Sequence, residues 1–264
     1  MRPATPPGDP TLSRRSFVST AVLGTASLIA GCEALGITSP TASGSARLTA
    51  RPGTPTSSGA LGLRALGLGN SLADGMVYVP ASYKSASPAP LVLLLHGAGG
   101  VSSSFILPWM PIADTTGQIL LAVDSRRVTW DGVGDGKFGP DIAFLNQALT
   151  DTFSKYAVSA SRVAVAGFSD GATMSLAVGL ANGDLFSKVI ALSPGGLIGR
   201  EHRGKPAFYL AHGSLDPVIN LRVTRDEIVP KLEKDGYVVT YREFAGGHVI
   251  QDDLRTEAMV WAAG

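Results

Sequence analysis

Continuous apolar runs that alternate with helix-prone segments constrain the fold of this chain more than any other feature. The run Leu91–Leu95 contains no polar residue, as expected for a strand that is buried on both faces of a sheet. Ile119–Val123 has the same character, and the following segment Pro140–Tyr156 places apolar residues at helical spacing. Strands that alternate with helices predict a mostly parallel central sheet with helices on both faces.

The rest of the chain continues this alternation, without an internal repeat or a second domain. Short β-prone stretches around 61–68 and 75–80 predict an antiparallel edge of the sheet. We expect further strands at 162–166, 189–192, 208–211 and 237–244, and helices at 172–180, 221–234 and 249–262.

Composition excludes several classes of function. The formal net charge is +1, with 45% hydrophobic and 16% charged residues, and the body of the chain has no basic run. A nucleic-acid-binding protein needs a concentrated positive surface, so we expect no nucleic-acid partner. Cys32 is the single cysteine, which excludes an intramolecular disulfide and a cysteine-based zinc cluster. We expect no metal and no organic cofactor.

The first 32 residues predict an export signal. The pair Arg14 and Arg15 precedes the apolar run Val18–Ala30, an arrangement that resembles a twin-arginine signal. Gly31-Cys32 closes the run and resembles the processing box of bacterial lipoproteins, in which the cysteine is acylated. We therefore expect an exported protein, either secreted or tethered to the membrane through a lipid on Cys32. The alternatives are a buried N-terminal helix, or an ordinary cleavage site in which the cysteine occurs by chance.

Two further regions follow this signal. Residues 33–60 are rich in Ser, Thr, Pro, Gly and Ala and predict a flexible linker. Residues 61–264 then form the predicted catalytic domain.

The pentapeptide Gly167–Gly171 carries the strongest chemical signal. It has the form G-x-S-x-G, in which a sharp turn between a strand and a helix exposes the serine hydroxyl. A β-prone run precedes it and a helix-prone run follows it, as this turn requires. Ser169 is therefore the candidate nucleophile; the alternative is a glycine-rich turn without chemistry.

A serine nucleophile needs a base, and the chain has only four histidines. His248 follows the last predicted strand, so it reaches the carboxyl edge of the sheet, where Ser169 lies. His96 belongs to a glycine-rich turn, His202 to a polar stretch, and His212 ends a strand, where a structural role is expected. His248 is therefore the candidate general base.

The base needs a carboxylate that orients it. Asp216 comes soon after the strand 208–211 and also reaches the carboxyl edge, giving the chain order Ser169, Asp216, His248. Asp226 is the rival, but it falls within a predicted helix and is expected to be a surface charge.

Acyl transfer also requires hydrogen-bond donors for a developing oxyanion. One candidate is the backbone N–H of Asp170, which follows the nucleophile. The second is the N–H of Ala98, in the turn after the first buried strand, with Gly99 as the alternative.

These motifs resemble the α/β-hydrolase superfamily from about residue 75 to the end of the chain. Within it, four stretches resemble the phospholipase/carboxylesterase group of serine esterases: His96–Gly100, Gly167–Gly171, His212–Asp216 and Gly247-His248. Three others are similar to polyhydroxybutyrate depolymerase-like and feruloyl-esterase-like proteins: Thr129–Asp131, Pro140–Leu145 and Ser161–Val163. The two resemblances imply the same triad and different substrates.

The resemblance implies a serine hydrolase that cleaves carboxylic esters, small or polymeric, through an acyl-enzyme intermediate. A polyester depolymerase or peptidase on the same scaffold, and a non-catalytic envelope-anchored binding protein, remain alternatives. Asp170 departs from the neutral residue that is more common in these groups, and its charge either disfavours anionic substrates or points away.

Large lipases often carry a helical cap between the strands that correspond to those ending at Leu192 and beginning at Phe208. The short segment here predicts an open cleft without a large cap domain. Trp130 is the candidate substrate-binding residue of this cleft, with a core position as the alternative.

Overall fold

The computed structural model describes residues 44–69, 74–134 and 136–264, and within them eight strands form one sheet. The strands are β1 (Gly62–Ala65), β2 (Gly75–Val79), β3 (Ala89–Leu95), β4 (Ile119–Val123), β5 (Val158–Phe168), β6 (Lys188–Leu192), β7 (Ala207–Gly213) and β8 (Val239–Phe244). Their spatial order is β1-β2-β4-β3-β5-β6-β7-β8.

All pairs from β4 to β8 across the sheet are parallel, whereas β1 and β2 form an antiparallel edge. This confirms the predicted mostly parallel sheet. Because the strands from β3 to β8 run in one direction, the loops after their last residues meet at one edge of the sheet. We call this edge the carboxyl edge.

Seven α-helices accompany the sheet in the described residues. They are α1 (Ser102–Phe105), α2 (Met110–Thr116), α3 (Asp131–Gly134), α4 (Pro140–Lys155), α5 (Asp170–Ala181), α6 (Val229–Lys234) and α7 (Asp252–Ala263). None of these helices is both long and apolar enough to cross a membrane.

The apolar core lies on both faces of the sheet. Along β3, Leu91, Leu93 and Leu95 join one cluster and Val92 and Leu94 join the other, because successive side chains of a strand point to opposite faces. Side chains from α4 and α5 complete the first cluster, and side chains from α2 and α7 complete the second. The continuous apolar run of β3 follows from this burial on both faces.

The connection between β6 and β7 contains no large cap domain, as predicted for this segment. Residues 193–206 contain neither a helix nor an extended strand. The cleft above the carboxyl edge is therefore not covered from this connection.

Residues 44–60 depart from the predicted flexible linker. Ala46, Leu48 and Ala50 are buried in the core cluster that contains α4 and α5. Asn182 accepts the Leu48 N–H at 2.8 Å, and Asn146 accepts the Ala50 N–H at 2.8 Å. The linker prediction is therefore wrong for this part, because alternate apolar side chains and two asparagines hold the segment in place. Residues 33–43, like the predicted export signal, lie outside the described residues.

The predicted helix 221–234 is divided into two parts. Val223–Ile228 forms a π-helical turn, and α6 continues it with Pro230 in its first turn. Proline lacks an N–H and cannot join the regular i→i−4 hydrogen-bond ladder. The predicted closing helix begins at Asp252 rather than at 249.

Candidate active site

Ser169 occupies the turn between β5 and α5. Its φ of 56° lies in the left-handed region, which costs free energy for a residue other than glycine. The two flanking glycines permit this turn. A Cβ on Gly171 would lie 2.1 Å from the Leu95 carbonyl oxygen, and a Cβ on Gly167 would lie 2.1 Å from the Gly171 carbonyl oxygen. The turn therefore needs glycine on both sides of its serine.

The structure brings Ser169, His248 and Asp216 together at the carboxyl edge. The Ser169 hydroxyl lies 2.9 Å from His248 Nε2, in position to donate its proton. On the other side of the ring, His248 Nδ1 lies 2.7 Å from Asp216 Oδ2. These two contacts define the Nδ1–H tautomer, which leaves Nε2 free to accept the serine proton.

The carboxylate of Asp216 is buried and held by several donors. Its Oδ1 accepts the Val218 N–H at 2.8 Å and the Ile219 N–H at 2.9 Å. Burial alone would raise the pKa of this carboxyl, but hydrogen bonds from Ile219, His248 and Val218 outweigh it and lower the pKa below its usual value. Asp216 therefore stays ionised beside the imidazole.

His212 is fully buried behind this carboxylate and has a structural position, as predicted. Its Nδ1 lies 2.7 Å from Thr224 Oγ1, and its Nε2 lies 3.0 Å from the Ile219 carbonyl oxygen and 3.3 Å from Asp216 Oδ2. Burial is the main cause of the lowered pKa of this imidazole. Since Nε2 faces two acceptors, it carries the proton of the neutral ring.

The two candidate oxyanion donors are free among the described residues, since neither the Ala98 N–H nor the Asp170 N–H has a hydrogen-bond partner there. The alternative, Gly99, donates its N–H to the Val128 carbonyl oxygen at 2.7 Å. The geometry therefore favours Ala98 over Gly99 as the donor after β3.

Trp130 does not line the cleft, and its assignment as a substrate-binding residue is wrong. Its side chain is fully buried in the core, and its Nε1–H donates to the His96 carbonyl oxygen at 2.8 Å. The large apolar ring gains more from this burial than it would from an exposed position. Trp130 thus supports the turn that contains Ala98 from below.

The loop before Trp130 supports the same turn at two further points. The Ser125 N–H donates to His96 Nε2 at 3.1 Å, and Val128 accepts the Gly99 N–H. Because His96 Nε2 is an acceptor, its Nδ1–H donates to the Gly97 carbonyl oxygen at 2.7 Å. We call residues 125–130 the support loop.

Asp170 is bound to the support loop rather than free beside the nucleophile. The Thr129 hydroxyl donates to Asp170 Oδ2 at 2.5 Å. The sequence had pointed to Thr129 only as part of a stretch that resembles known esterases. The hydrogen bond by which Thr129 connects the support loop to α5 could not be predicted from that pattern.

The remaining candidates lie elsewhere. Asp226 is exposed and pairs with Arg225, as expected for a surface charge. His202 lies beside Tyr237, with 6.1 Å between ring centroids. Cys32 is outside the described residues. Within residues 44–69, 74–134 and 136–264, no group of three or more His, Cys, Asp or Glu residues could hold a metal ion.

The strand order and the turn at Ser169 define an α/β-hydrolase fold for this chain. Residues 140–252, less than half of the chain, match the family described as phospholipase/carboxylesterase.

Two curated fungal proteins are similar to this chain over about half of its length. It is 29% identical over 149 residues to a probable feruloyl esterase C of Aspergillus niger, which covers 53% of this chain and 54% of that protein. It is 30% identical over 151 residues to feruloyl esterase C of Emericella nidulans, which covers 54% of each. The chain thus spans about half the length of these relatives.

A solved structure agrees with the fold over most of the described domain. Esterase PE8 superimposes with a TM-score of 0.59 and 22% sequence identity, covering 72% of this chain and 97% of that one. At this identity the similarity shows the fold alone.

Proposed function

We propose that this chain is a serine esterase that cleaves carboxylic esters through an acyl-enzyme intermediate. Ser169 is the nucleophile, His248 the general base and Asp216 the acid that orients the base. The observation that carries the proposal is the continuous pair of contacts from Ser169 through His248 to Asp216, at 2.9 and 2.7 Å.

In the first half of the reaction, Ser169 Oγ attacks the ester carbonyl carbon while His248 Nε2 takes the hydroxyl proton. The N–H groups of Ala98 and Asp170 stabilise the oxyanion of the tetrahedral intermediate. The ester C–O bond then breaks, and His248 gives its proton to the departing alcohol. The acyl group remains bound to Ser169 Oγ.

In the second half, a water molecule attacks the acyl-enzyme and His248 takes its proton. The C–O bond to Ser169 breaks, the serine regains its proton and the carboxylic acid leaves. Ionised Asp216 stabilises the imidazolium that forms in both halves.

The comparisons support an ester as the substrate, because the matching family and the similar proteins are named for esterases. Hydroxycinnamoyl esters deserve a place in the substrate panel, since both curated relatives are feruloyl esterases. A polyester depolymerase, a peptidase and a non-catalytic binding protein are the competing functions.

The test uses residues 33–264 of wild type and of Ser169→Ala. We expect a fluorophosphonate probe to label wild type at Ser169 and to leave the variant unlabelled. A panel of p-nitrophenyl esters, methyl ferulate, short polyesters and peptide amides then ranks the substrate classes. A protein that neither reacts with the probe nor hydrolyses any ester would instead be a binding protein.

We also propose that the chain is exported and acylated on Cys32, which rests on the sequence of residues 1–32 alone. Expression in a bacterial host should give a membrane-bound product whose N-terminal peptide carries a lipid mass. Cys32→Ala should abolish this mass and release the protein. A soluble, unmodified wild type would refute the anchor.

A further inference from the structure

A cavity of about 350 Å³ lies against the turn after β3 and against Phe168, the residue before the candidate nucleophile. The lining residues that concern its chemistry are Ala98, Val101, Phe105, Pro108, Phe168 and Ile250. Its volume is near the lower end for small-molecule sites, which span about 300–1,000 Å³. It can therefore hold a compact group.

The cavity adjoins residues that neighbour the proposed catalytic groups. Ala98 provides a candidate oxyanion donor, Phe168 precedes Ser169, and Ile250 lies two residues after His248. The rings of Phe168 and His248 pack with their centroids 4.7 Å apart. A group that enters this cavity therefore lies close to residues that neighbour the candidate nucleophile and base.

The lining favours an uncharged occupant. No Asp, Glu, Lys or Arg is among the described residues that line the cavity. Its one titratable side chain, His96, has both ring nitrogens engaged, with Nδ1–H donating to Gly97 and Nε2 accepting from Ser125. A charged group placed here would lose its hydration without gaining a partner.

The exposed rim of the carboxyl edge is apolar as well. Among the described residues, nine large apolar side chains are exposed. Five of the nine lie in loops after β3, β4, β7 and β8, around the candidate triad: Val101, Val128, Leu215, Val218 and Val249. Single exposed apolar residues are ordinary, but their concentration around one site indicates that apolar molecules approach it.

We propose that this cavity is the subsite for one apolar part of the substrate ester, either its acyl group or its alcohol group. The cavity selects esters in which that group is uncharged, compact and alkyl or aromatic. This inference rests on the proposed esterase function and adds the class of substrate to it.

The test compares two tryptophan variants at neighbouring exposed positions of α1. Ser104 lines the cavity, whereas Ser103 does not, so Ser104→Trp fills it and Ser103→Trp is the matched control. Substrates form two series, p-nitrophenyl esters from acetate to octanoate and alkyl acetates from ethyl to hexyl. The series in which kcat/KM depends on chain length shows whether the acyl group or the alcohol group occupies the cavity.

In wild type we expect kcat/KM to rise about fourfold per methylene in one series until the cavity is full. Ser104→Trp should lose this rise, with at least a tenfold loss on the best ester and less than threefold on the shortest. Ser103→Trp should follow wild type. A flat response in both series, or equal losses in the two variants, overturns the subsite.

Two measurements separate failure of this proposal from other failures. Fluorophosphonate labelling of wild type and both variants at equal rates shows that Ser169 still reacts, whereas an unlabelled wild type overturns the esterase proposal itself. If Ser104→Trp does not fold, Val101→Trp narrows the cavity from another exposed position. That variant must show the same loss of chain-length preference, or the subsite is wrong.

Discussion

His212 Nε2 lies 3.3 Å from Asp216 Oδ2, so the carboxylate of the candidate triad is placed between two histidine rings. The other nitrogen of His212 lies 2.7 Å from the Thr224 hydroxyl, which can donate to the neutral ring. His212 thus helps to hold the loop that carries Asp216.

We predict that the two buried histidines destabilise the fold on mild acidification. Burial lowers the pKa of His96 and His212 in the folded state. Because the unfolded chain protonates its histidines near their usual pKa of about 6.5, it binds more protons than the folded chain below that pH. The two neutral histidines therefore make their full contribution to the free energy of unfolding above about pH 6.5. This contribution is lost as the pH falls towards the pKa values of the folded state.

Denaturant unfolding at pH 7.5, 6.5 and 5.5 measures this effect. The free energy of unfolding should decrease over this range in wild type, and His212→Gln should show a smaller decrease. His202→Gln, at an exposed position, is the control and should follow wild type. A wild-type stability that does not change between pH 7.5 and 5.5 would contradict the prediction.

We predict that Asp216→Asn reduces kcat by about 10⁴-fold while the fold is retained. The amide oxygen can still accept from Val218 and Ile219, which leaves the amide N–H₂ facing His248 Nδ1. That arrangement favours the tautomer with the proton on Nε2, which cannot accept the serine proton. Steady-state hydrolysis of an ester measures the loss, and Asp226→Asn should have no effect because Asp226 pairs with Arg225 at the surface.

We predict that Thr129→Val lowers kcat roughly tenfold with little change in KM. The change keeps the shape of the side chain but removes the hydroxyl that donates to Asp170. The support loop then loses a link to α5, and the turn with Ala98 loses part of its fixed position; full loss of one oxyanion donor costs about 10²–10³. Thr129→Ser should restore kcat, and the exposed control Thr115→Val should leave it unchanged. An unaltered kcat in Thr129→Val would remove Thr129 from the positioning network.

We predict that Gly171→Ala destabilises the protein by about 3 kcal/mol or more. The added Cβ would lie 2.1 Å from the Leu95 carbonyl oxygen and 2.5 Å from that of His96, and neither backbone group can move freely. Gly53→Ala is the control, since its Cβ would have no heavy atom within 4 Å. Thermal unfolding of both variants compares them, and similar midpoints would show that the turn tolerates a side chain.

Much of the fold and the grouping of the candidate triad follow from local sequence patterns. The apolar run at 119–123 forms β4 with the same bounds. Because a strand buried on both faces has apolar residues at every position, the ends of the run mark the ends of the strand. Ser169, Asp216 and His248 each follow a strand of one direction. Their meeting at the carboxyl edge could therefore be predicted from their positions after parallel strands.

The features that were not predicted depend on contacts between distant residues. Residues 44–60 look like a linker by composition, but partners far along the chain, among them Asn146, Asn182 and Ser154, hold them against the core. Trp130 ends the support loop at the carboxyl edge, yet its ring points inward, and its Nε1–H donates to the His96 carbonyl oxygen. The four residues of α1 are too few to show a helical period, and Pro111 interrupts the pattern in α2, so neither helix was predicted.

The left-handed backbone of Ser169 lowers the stability of the fold at the position of the candidate nucleophile. Glycine would adopt the same φ of 56° without the cost of about 1–3 kcal/mol that a strained residue carries. Replacing Ser169 by glycine would therefore relieve this strain and remove the hydroxyl. If the hydroxyl is kept, greater heat tolerance must therefore be gained at other positions.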